Sequence, residues 1–328
     1  MKRIAILGAG GMGTALAVLL ARAGAAVDLW ARDADRADAL ARDRENRRHL
    51  PGIPLPDGVR PTAATDGLAA AELVVVAIPS AFLRTTVGGL RGALPAGVPL
   101  VSVVKGIERG TFARPGEILE AVLGPRRVAI LSGPSHAEEF ARGLPTSVVV
   151  AAREPALAER VRDAFRGESF RVYVNDDALG VELAGALKNI LGLAAGICDG
   201  LGVGDNAKAA LLTRGLVEMA RYAEGLGARP ATFWGLAGVG DVLTTCYSPH
   251  GRNRAVGLRL GRGESLAAIR GGMVDVAEGV YTTRSVHEQA IARGVAMPIT
   301  AEVHAILFEG KPPRAAVTDL MLRDPKAE

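Results

Sequence analysis

The chain runs to 328 residues, about twice the usual domain size, and its 49% hydrophobic and 23% charged residues exclude a disordered protein. A formal net charge of +4, mixed along the chain, gives no case for a nucleic-acid partner and suits an anionic small ligand. Two cysteines, Cys198 and Cys246, are too few for a disulfide framework and lack metal-ligand spacing, so an intracellular protein without a structural metal is expected.

Met1-Lys2-Arg3 followed by Ile4–Leu7 superficially resembles a signal peptide, but the apolar run breaks at Gly8-Ala9-Gly10-Gly11. It reads as a buried first strand. Further strands are expected at Ala26–Trp30, Leu73–Ile78, Pro99–Val104, Val128–Leu131, Thr146–Ala151 and Phe170–Val174. The runs Val74–Val76 and Val148–Val150 lack polar alternation, as when both faces of a strand are covered. Helical stretches such as Thr14–Ala23 and Pro155–Arg166 lie between them, which predicts a doubly wound, mainly parallel α/β sheet. After Asn175 only helices are expected, among them Ala178–Ile197, Ala207–Glu224 and Ser285–Arg293. The helix-start chemistry of Asn175-Asp176-Asp177 sets the expected domains at 1–177 and 178–328.

Gly8-Ala9-Gly10-Gly11-Met12-Gly13 is a G-x-G-x-x-G placed directly after a strand and opening a helix. Gly8 permits the tight turn, Gly10 lets the backbone approach a pyrophosphate, and Gly13 allows close helix–strand packing. The helix N-terminus then offers unpaired N–H groups to the phosphates. This predicts a Rossmann-type dinucleotide site. At the end of the second strand, Arg32 is placed to meet a ribose 2′-phosphate, favouring NADP; Asp33 follows and keeps NAD as the alternative. The charged stretch Arg42–His49 reads as a solvated helix face, with His49 in reach of the adenosine end.

Ligands of an open α/β sheet bind beyond the carboxyl ends of its strands. That rule singles out Lys105, and the loop Ser132-Gly133-Pro134-Ser135-His136 with its hydroxyls and backbone N–H groups. Within the apolar stretch Ala178–Cys198 only Glu182, Lys188 and Asn189 are polar. A central lysine argues against a membrane span, so the helix is expected inside its own protein. The neighbours of Lys188 on its own helix, Ala184, Gly185, Leu191 and Gly192, cannot pair with it, and the two glycines are expected to leave open space over it. Burial should lower its pKa, as a general base requires. Asp241 and Asn189 are expected to orient it, with Thr244-Thr245 close to Asp241 in sequence. Gly251-Arg252-Asn253 reads as a phosphate grip, because guanidinium binds phosphate oxygens in a bidentate fork.

The segments GAGGMGTALA (Gly8–Ala17), VKG (Val104–Gly106), SGPSHAEE (Ser132–Glu139), GVELAGALKNILGLAAGICDGLG (Gly180–Gly202), GLAGVGDVLTTC (Gly235–Cys246) and GRNRAVG (Gly251–Gly257) together resemble the bacterial NAD(P)-dependent glycerol-3-phosphate dehydrogenases. The resemblance implies a Rossmann-type domain followed by an all-helical 6-phosphogluconate dehydrogenase-like domain, interconverting sn-glycerol 3-phosphate and dihydroxyacetone phosphate. It implies Lys188 as proton acceptor and Lys105 as a contact to substrate and cofactor. Substrate contacts are implied for Gly133, Ser135, Asn189, Asp241, Thr245, Gly251, Arg252 and Asn253. Positions facing the dinucleotide are Gly11, Met12, Arg32, Ala137, Val276 and Glu278, with Arg252 shared. A cytoplasmic homodimer feeding phospholipid synthesis is also implied. The chain departs from the family pattern at Gly11 and Met12, where serine and an aromatic residue are usual, and at Gly251, where serine is common. Two other readings stand beside this one: a β-hydroxyacid dehydrogenase, which would accept a carboxylate lacking phosphate, and a non-catalytic dinucleotide sensor, which would need neither Lys188 nor Arg252.

Overall fold

The computed structural model describes residues 2–272 and 277–324. It packs as two units, Met1–Lys105 with Arg114–Glu182, and Gly106–Ala113 with Leu183–Glu328. The division by packing falls after Glu182 rather than at the expected 177/178. The reason is Glu182 itself, whose carboxylate accepts from the Gly116 N–H at 2.7 Å and from Arg114 Nη1 at 2.5 Å. Residues 106–113 join the second unit, where the Ser285 hydroxyl donates to the Glu108 carbonyl at 3.4 Å.

The first unit is an eight-stranded sheet. Its strands are β1 (Arg3–Leu7), β2 (Ala26–Trp30), β5 (Val59–Thr62), β6 (Leu73–Val76), β7 (Leu100–Ser102), β8 (Val128–Ser132), β9 (Thr146–Ala152) and β10 (Phe170–Asn175). They lie in the order β10-β9-β8-β7-β6-β1-β2-β5, and every pairing is parallel except β8 with β9. Ile4 pairs with Val27 on one side and Leu73 on the other, and Ile4, Ala5, Ile6 and Leu7 are all buried. The chain leaves β1 toward β2 on one side and returns to β6 on the other. The crevice for a ligand therefore opens above β1, at the switch in strand order. Edge strand β5 was not anticipated; it carries Pro61, which an edge position tolerates.

The stretch Arg42–His49 is not a helix face. Helix α2 (Ala34–Asp43) stops where Arg44 turns to φ +51°, and a short hairpin of β3 (Glu45–Asn46) and β4 (Leu50–Pro54) follows. Charge density alone cannot reveal such a stop. The Arg44 guanidinium repays the turn by donating to the carbonyls of Leu55, Pro56 and Val59.

The second unit is helical. Its central element is α7 (Ala178–Leu201), long and apolar enough to cross a membrane but buried inside the protein. It packs backbone to backbone against α10 (Arg252–Gly261). A Cβ on Gly196 would lie 2.1 Å from the Arg254 carbonyl oxygen, and one on Gly257 2.1 Å from that of Leu193. Small residues facing each other let two helices cross this closely. Around them stand α8 (Asp205–Glu224), α9 (Asp241–Tyr247), α12 (Glu278–Arg293) and α13 (Pro298–Phe308). Asp199 ties α7, α8 and α10 together, accepting from the buried Lys208 ammonium at 2.9 Å and from Arg254 Nε at 2.7 Å.

Candidate active site

In the first unit the glycine loop joins β1 to α1 (Gly11–Arg22). Gly8 has φ +111°, and a Cβ there would sit 2.7 Å from the Ala77 carbonyl oxygen. A Cβ on Gly13 would meet the Gly8 carbonyl at 1.9 Å. Backbone geometry thus demands both glycines. Gly10 differs: its backbone is extended and nothing lies within 4 Å of where a Cβ would be. Neither the fold nor a neighbour requires glycine at that position. Space for a pyrophosphate over the α1 N-terminus is what a side chain would take away, so the loop fits a dinucleotide. Gly11 is constrained from the other side, since a Cβ would stand 2.9 Å from the His49 carbonyl. The departure from serine at this position lets the β3–β4 hairpin close on the loop.

Two residues that sequence reasoning missed brace this loop. Buried Asn46 donates from Nδ2 to the Ala9 carbonyl at 3.0 Å and to Thr14 Oγ1 at 2.7 Å. The Arg36 guanidinium donates to the same carbonyl. Neither side chain belongs to a motif, and only the turn at Arg44 brings Asn46 back to the loop. At the end of β2, Arg32 is exposed, while the Asp33 carboxylate caps α2 by accepting from the Arg36 N–H at 3.3 Å. His49 is half-buried beside the loop, its N–H donating to Asn46 Oδ1 at 3.3 Å.

Lys105 Nζ donates to the Gly133 carbonyl at 3.1 Å, and the Ser135 hydroxyl donates to the same oxygen at 2.9 Å. Gly133 takes φ +118°, which turns the chain at the end of β8. Met12, Lys105 and Ser135 line one small cavity whose floor is apolar, including Val103 and Leu131. Ala137 begins the short helix α5 (Ala137–Ala141).

The second unit assembles the other group. Lys188 Nζ donates to Asp241 Oδ1 at 2.6 Å and to Thr245 Oγ1 at 2.6 Å, with all three residues buried. A π-helical turn, Leu236–Gly240, leads into α9 and delivers Asp241 at its first residue. Gly238 makes that turn possible, because a Cβ would lie 1.9 Å from the Phe233 carbonyl. Gly192 does not leave the open space expected over Lys188. A Cβ on Gly192 would meet Thr245 Cγ2 at 2.8 Å and Asn253 Cβ at 3.1 Å, so this glycine admits the partner helices. Asn189 reaches the neighbouring helix α10. Its Oδ1 accepts from Asn253 Nδ2 at 2.9 Å, and Asn253 Oδ1 accepts from the Gly279 N–H at 2.9 Å, which secures the start of α12.

Arg252 is exposed at the first residue of α10, with no ion-pair partner among the described residues. Gly251 precedes it, and a Cβ there would sit 2.7 Å from the Thr245 carbonyl, so serine would not fit this backbone. The α10 N-terminus and Arg252 together present donors to an anion. Glu278 is half-buried at the first residue of α12. Val276 lies outside the described residues. Burial pushes the Cys246 thiol, in the helix of Asp241 and Thr245, up to about 12.

Comparison with known families decides how to read this arrangement. Residues 3–158 match the model of the NAD-dependent glycerol-3-phosphate dehydrogenase N-terminus, and residues 177–318 match that of the C-terminus. The chain belongs to the NAD-dependent glycerol-3-phosphate dehydrogenase family. It is 51% identical to glycerol-3-phosphate dehydrogenase [NAD(P)+] of Chlorobium limicola, covering 99% of each chain. With the same enzyme of Moorella thermoacetica it shares 49% identity, over 98% of this chain and 96% of the relative. The crystal structure of glycerol-3-phosphate dehydrogenase from Coxiella burnetii superposes with a TM-score of 0.94 at 38% identity, covering 98% of this chain and 99% of that one. The family's parallel-dominated Rossmann-type domain and helical C-terminal domain are the architecture described above.

Proposed function

We propose that this glycerol-3-phosphate dehydrogenase interconverts sn-glycerol 3-phosphate and dihydroxyacetone phosphate, with Lys188 as the proton-transfer group. The observation that carries the reading is the buried contact of Lys188 Nζ with Asp241 and Thr245. Those partners fix the ammonium by two hydrogen bonds. In the reducing direction the ammonium donates its proton to the oxygen developing at C2; in the oxidising direction the amine takes the C2 hydroxyl proton. A bound nicotinamide would supply or accept the hydride at C2. Arg252 and the N–H groups opening α10, with Gly251 and Asn253 on either side of the arginine, hold the substrate phosphate away from the reacting carbon. Asn189 fixes Asn253, and Lys105, Gly133 and Ser135 form the polar rim next to Met12.

The cofactor assignment is NADP first, NAD second. Arg32 is exposed to meet the 2′-phosphate, whereas the Asp33 carboxylate is engaged in capping α2. Residues 1–177 serve the dinucleotide, with Gly8, Gly10, Gly11, Met12, Gly13, His49 and Ala137 around it. Residues 178–328 supply base and phosphate contacts, and Val276, Glu278 and Arg252 add to the dinucleotide side. We assign the enzyme to the cytoplasm as a homodimer supplying glycerol 3-phosphate for phospholipid synthesis, a reading that the family supports.

The test is the initial rate of NADPH and NADH oxidation with dihydroxyacetone phosphate at matched cofactor concentrations. Turnover with an excess for NADPH is expected, together with a KM for dihydroxyacetone phosphate raised about 10- to 100-fold in Arg252→Ala, from loss of a charge-assisted phosphate contact. No turnover in a folded protein that still binds a dinucleotide would reject the substrate. A rate ratio favouring NADH would reverse the cofactor order.

A further inference from the structure

Helices α12 and α13 bring together three side chains that the reaction does not use. The rings of His287 and His304 stack with centroids 4.0 Å apart and planes at 22°. Beyond the end of α13, Glu309 Oε1 lies 2.9 Å from His304 Nδ1. One ligand-capable atom from each of the three falls within 4.8 Å of the other two.

Stacking of two imidazoles would occur in an ordinary helix contact, with Glu309 as a simple partner of His304. Two features go further. Two imidazoles and a carboxylate form a complete donor set for a borderline-soft divalent ion that keeps one position for water. Such an ion holds its ligands at about 2.0–2.2 Å, so the donors must draw together by roughly an ångström. Glu309 can make that movement, its side chain being 60% exposed against 14% for His304. The second feature is the wall behind His304. Phe308 lies with its ring centroid 5.0 Å from that of His304, and the Arg284 guanidinium sits 4.1 Å over the Phe308 ring. His304 is thereby fixed, while its neighbours adjust to it.

We propose that His287, His304 and Glu309 form a binding site for a divalent zinc-class ion, which clips α12 to α13 with water as the remaining ligand. The site draws on no residue assigned to the dinucleotide or the substrate.

Chelator-stripped protein titrated calorimetrically with zinc chloride tests this. One ion per chain is expected, with a rise in Tm on zinc addition. In His287→Gln and His304→Gln, affinity should fall at least about tenfold and the Tm rise should vanish; Glu309→Gln should weaken binding less. Circular dichroism without metal establishes that each variant is folded. The wild-type protein loaded with cobalt(II) should show the visible absorption of a four-coordinate site, a readout independent of any variant. Failure of the wild-type chain to bind zinc, or a cobalt spectrum of the hexaaqua ion, would overturn the proposal. So would unchanged zinc affinity in a folded His287→Gln, because the ion would then sit elsewhere, for instance on His49, His136 or His250.

Discussion

Lys188 is a charged group in a helix whose other residues are nearly all apolar. Its burial is tolerable because Asp241 and Thr245 help to replace the water it lost. The threonine hydroxyl is the subtler of the two. It gives the ammonium a second acceptor at 2.6 Å, and its methyl fills the space that Gly192 leaves. Thr245→Val keeps the methyl and removes the hydroxyl. Steady-state kinetics should show kcat reduced about 10- to 100-fold, and Tm should fall by several degrees, since a hydrogen bond to a buried charge is worth roughly 1.5–3 kcal/mol. An unchanged kcat would mean that Asp241 alone positions the lysine. The motif around Asp241 and Thr245 was legible in sequence, and so was the isolation of Lys188 on its own helix. The contact with Asp241 was expected as well; the one with Thr245 was not, because a partner 57 residues away depends on how α9 crosses α7.

At the scale of elements, the crossing of α7 with α10 rests on glycine. Gly196→Ala would drive a methyl into the Arg254 carbonyl at 2.1 Å, and the atom it meets is backbone. Overpacking of this kind costs about 1–3 kcal/mol or more. Urea unfolding should show that loss at an unchanged m-value, and a variant as stable as wild type would contradict the account of the crossing. Glycine inside a helix reads in sequence only as a weakness; its purpose appears once a second backbone lies against it. The dinucleotide loop was far more legible, because the strand, the turn and the helix N-terminus are contiguous there. The brace behind it was not: Asn46 reaches Ala9 through a hairpin formed where charge density suggested a helix. Strand β5 was missed for a similar reason, since a short edge strand containing Pro61 carries little of the apolar pattern.

At the scale of the molecule, the two cysteines report on the integrity of the helical unit. Burial is the first cause raising both thiols above 9.0, to about 11 for Cys198 and about 12 for Cys246. The folded chain therefore keeps its thiol protons above the pH at which the unfolded chain releases them. Stability should be unaffected by these groups below pH 9 and should decline as pH rises past it. Iodoacetamide, which attacks the thiolate, should leave both cysteines unmodified in native protein at pH 8 and alkylate both in urea, as mass spectrometry would record. Rapid native labelling of either would show that the buried core around α7 opens readily.

The central claim, that Lys188 moves the proton, is tested most directly by Lys188→Ala. The measurement is kcat for dihydroxyacetone phosphate reduction, beside the NADPH dissociation constant of the same preparation. The account predicts a fall of about a thousandfold or more in kcat with NADPH affinity retained, because the dinucleotide loop lies in the other unit. Turnover within a few-fold of wild type would contradict it and move the proton transfer to another residue.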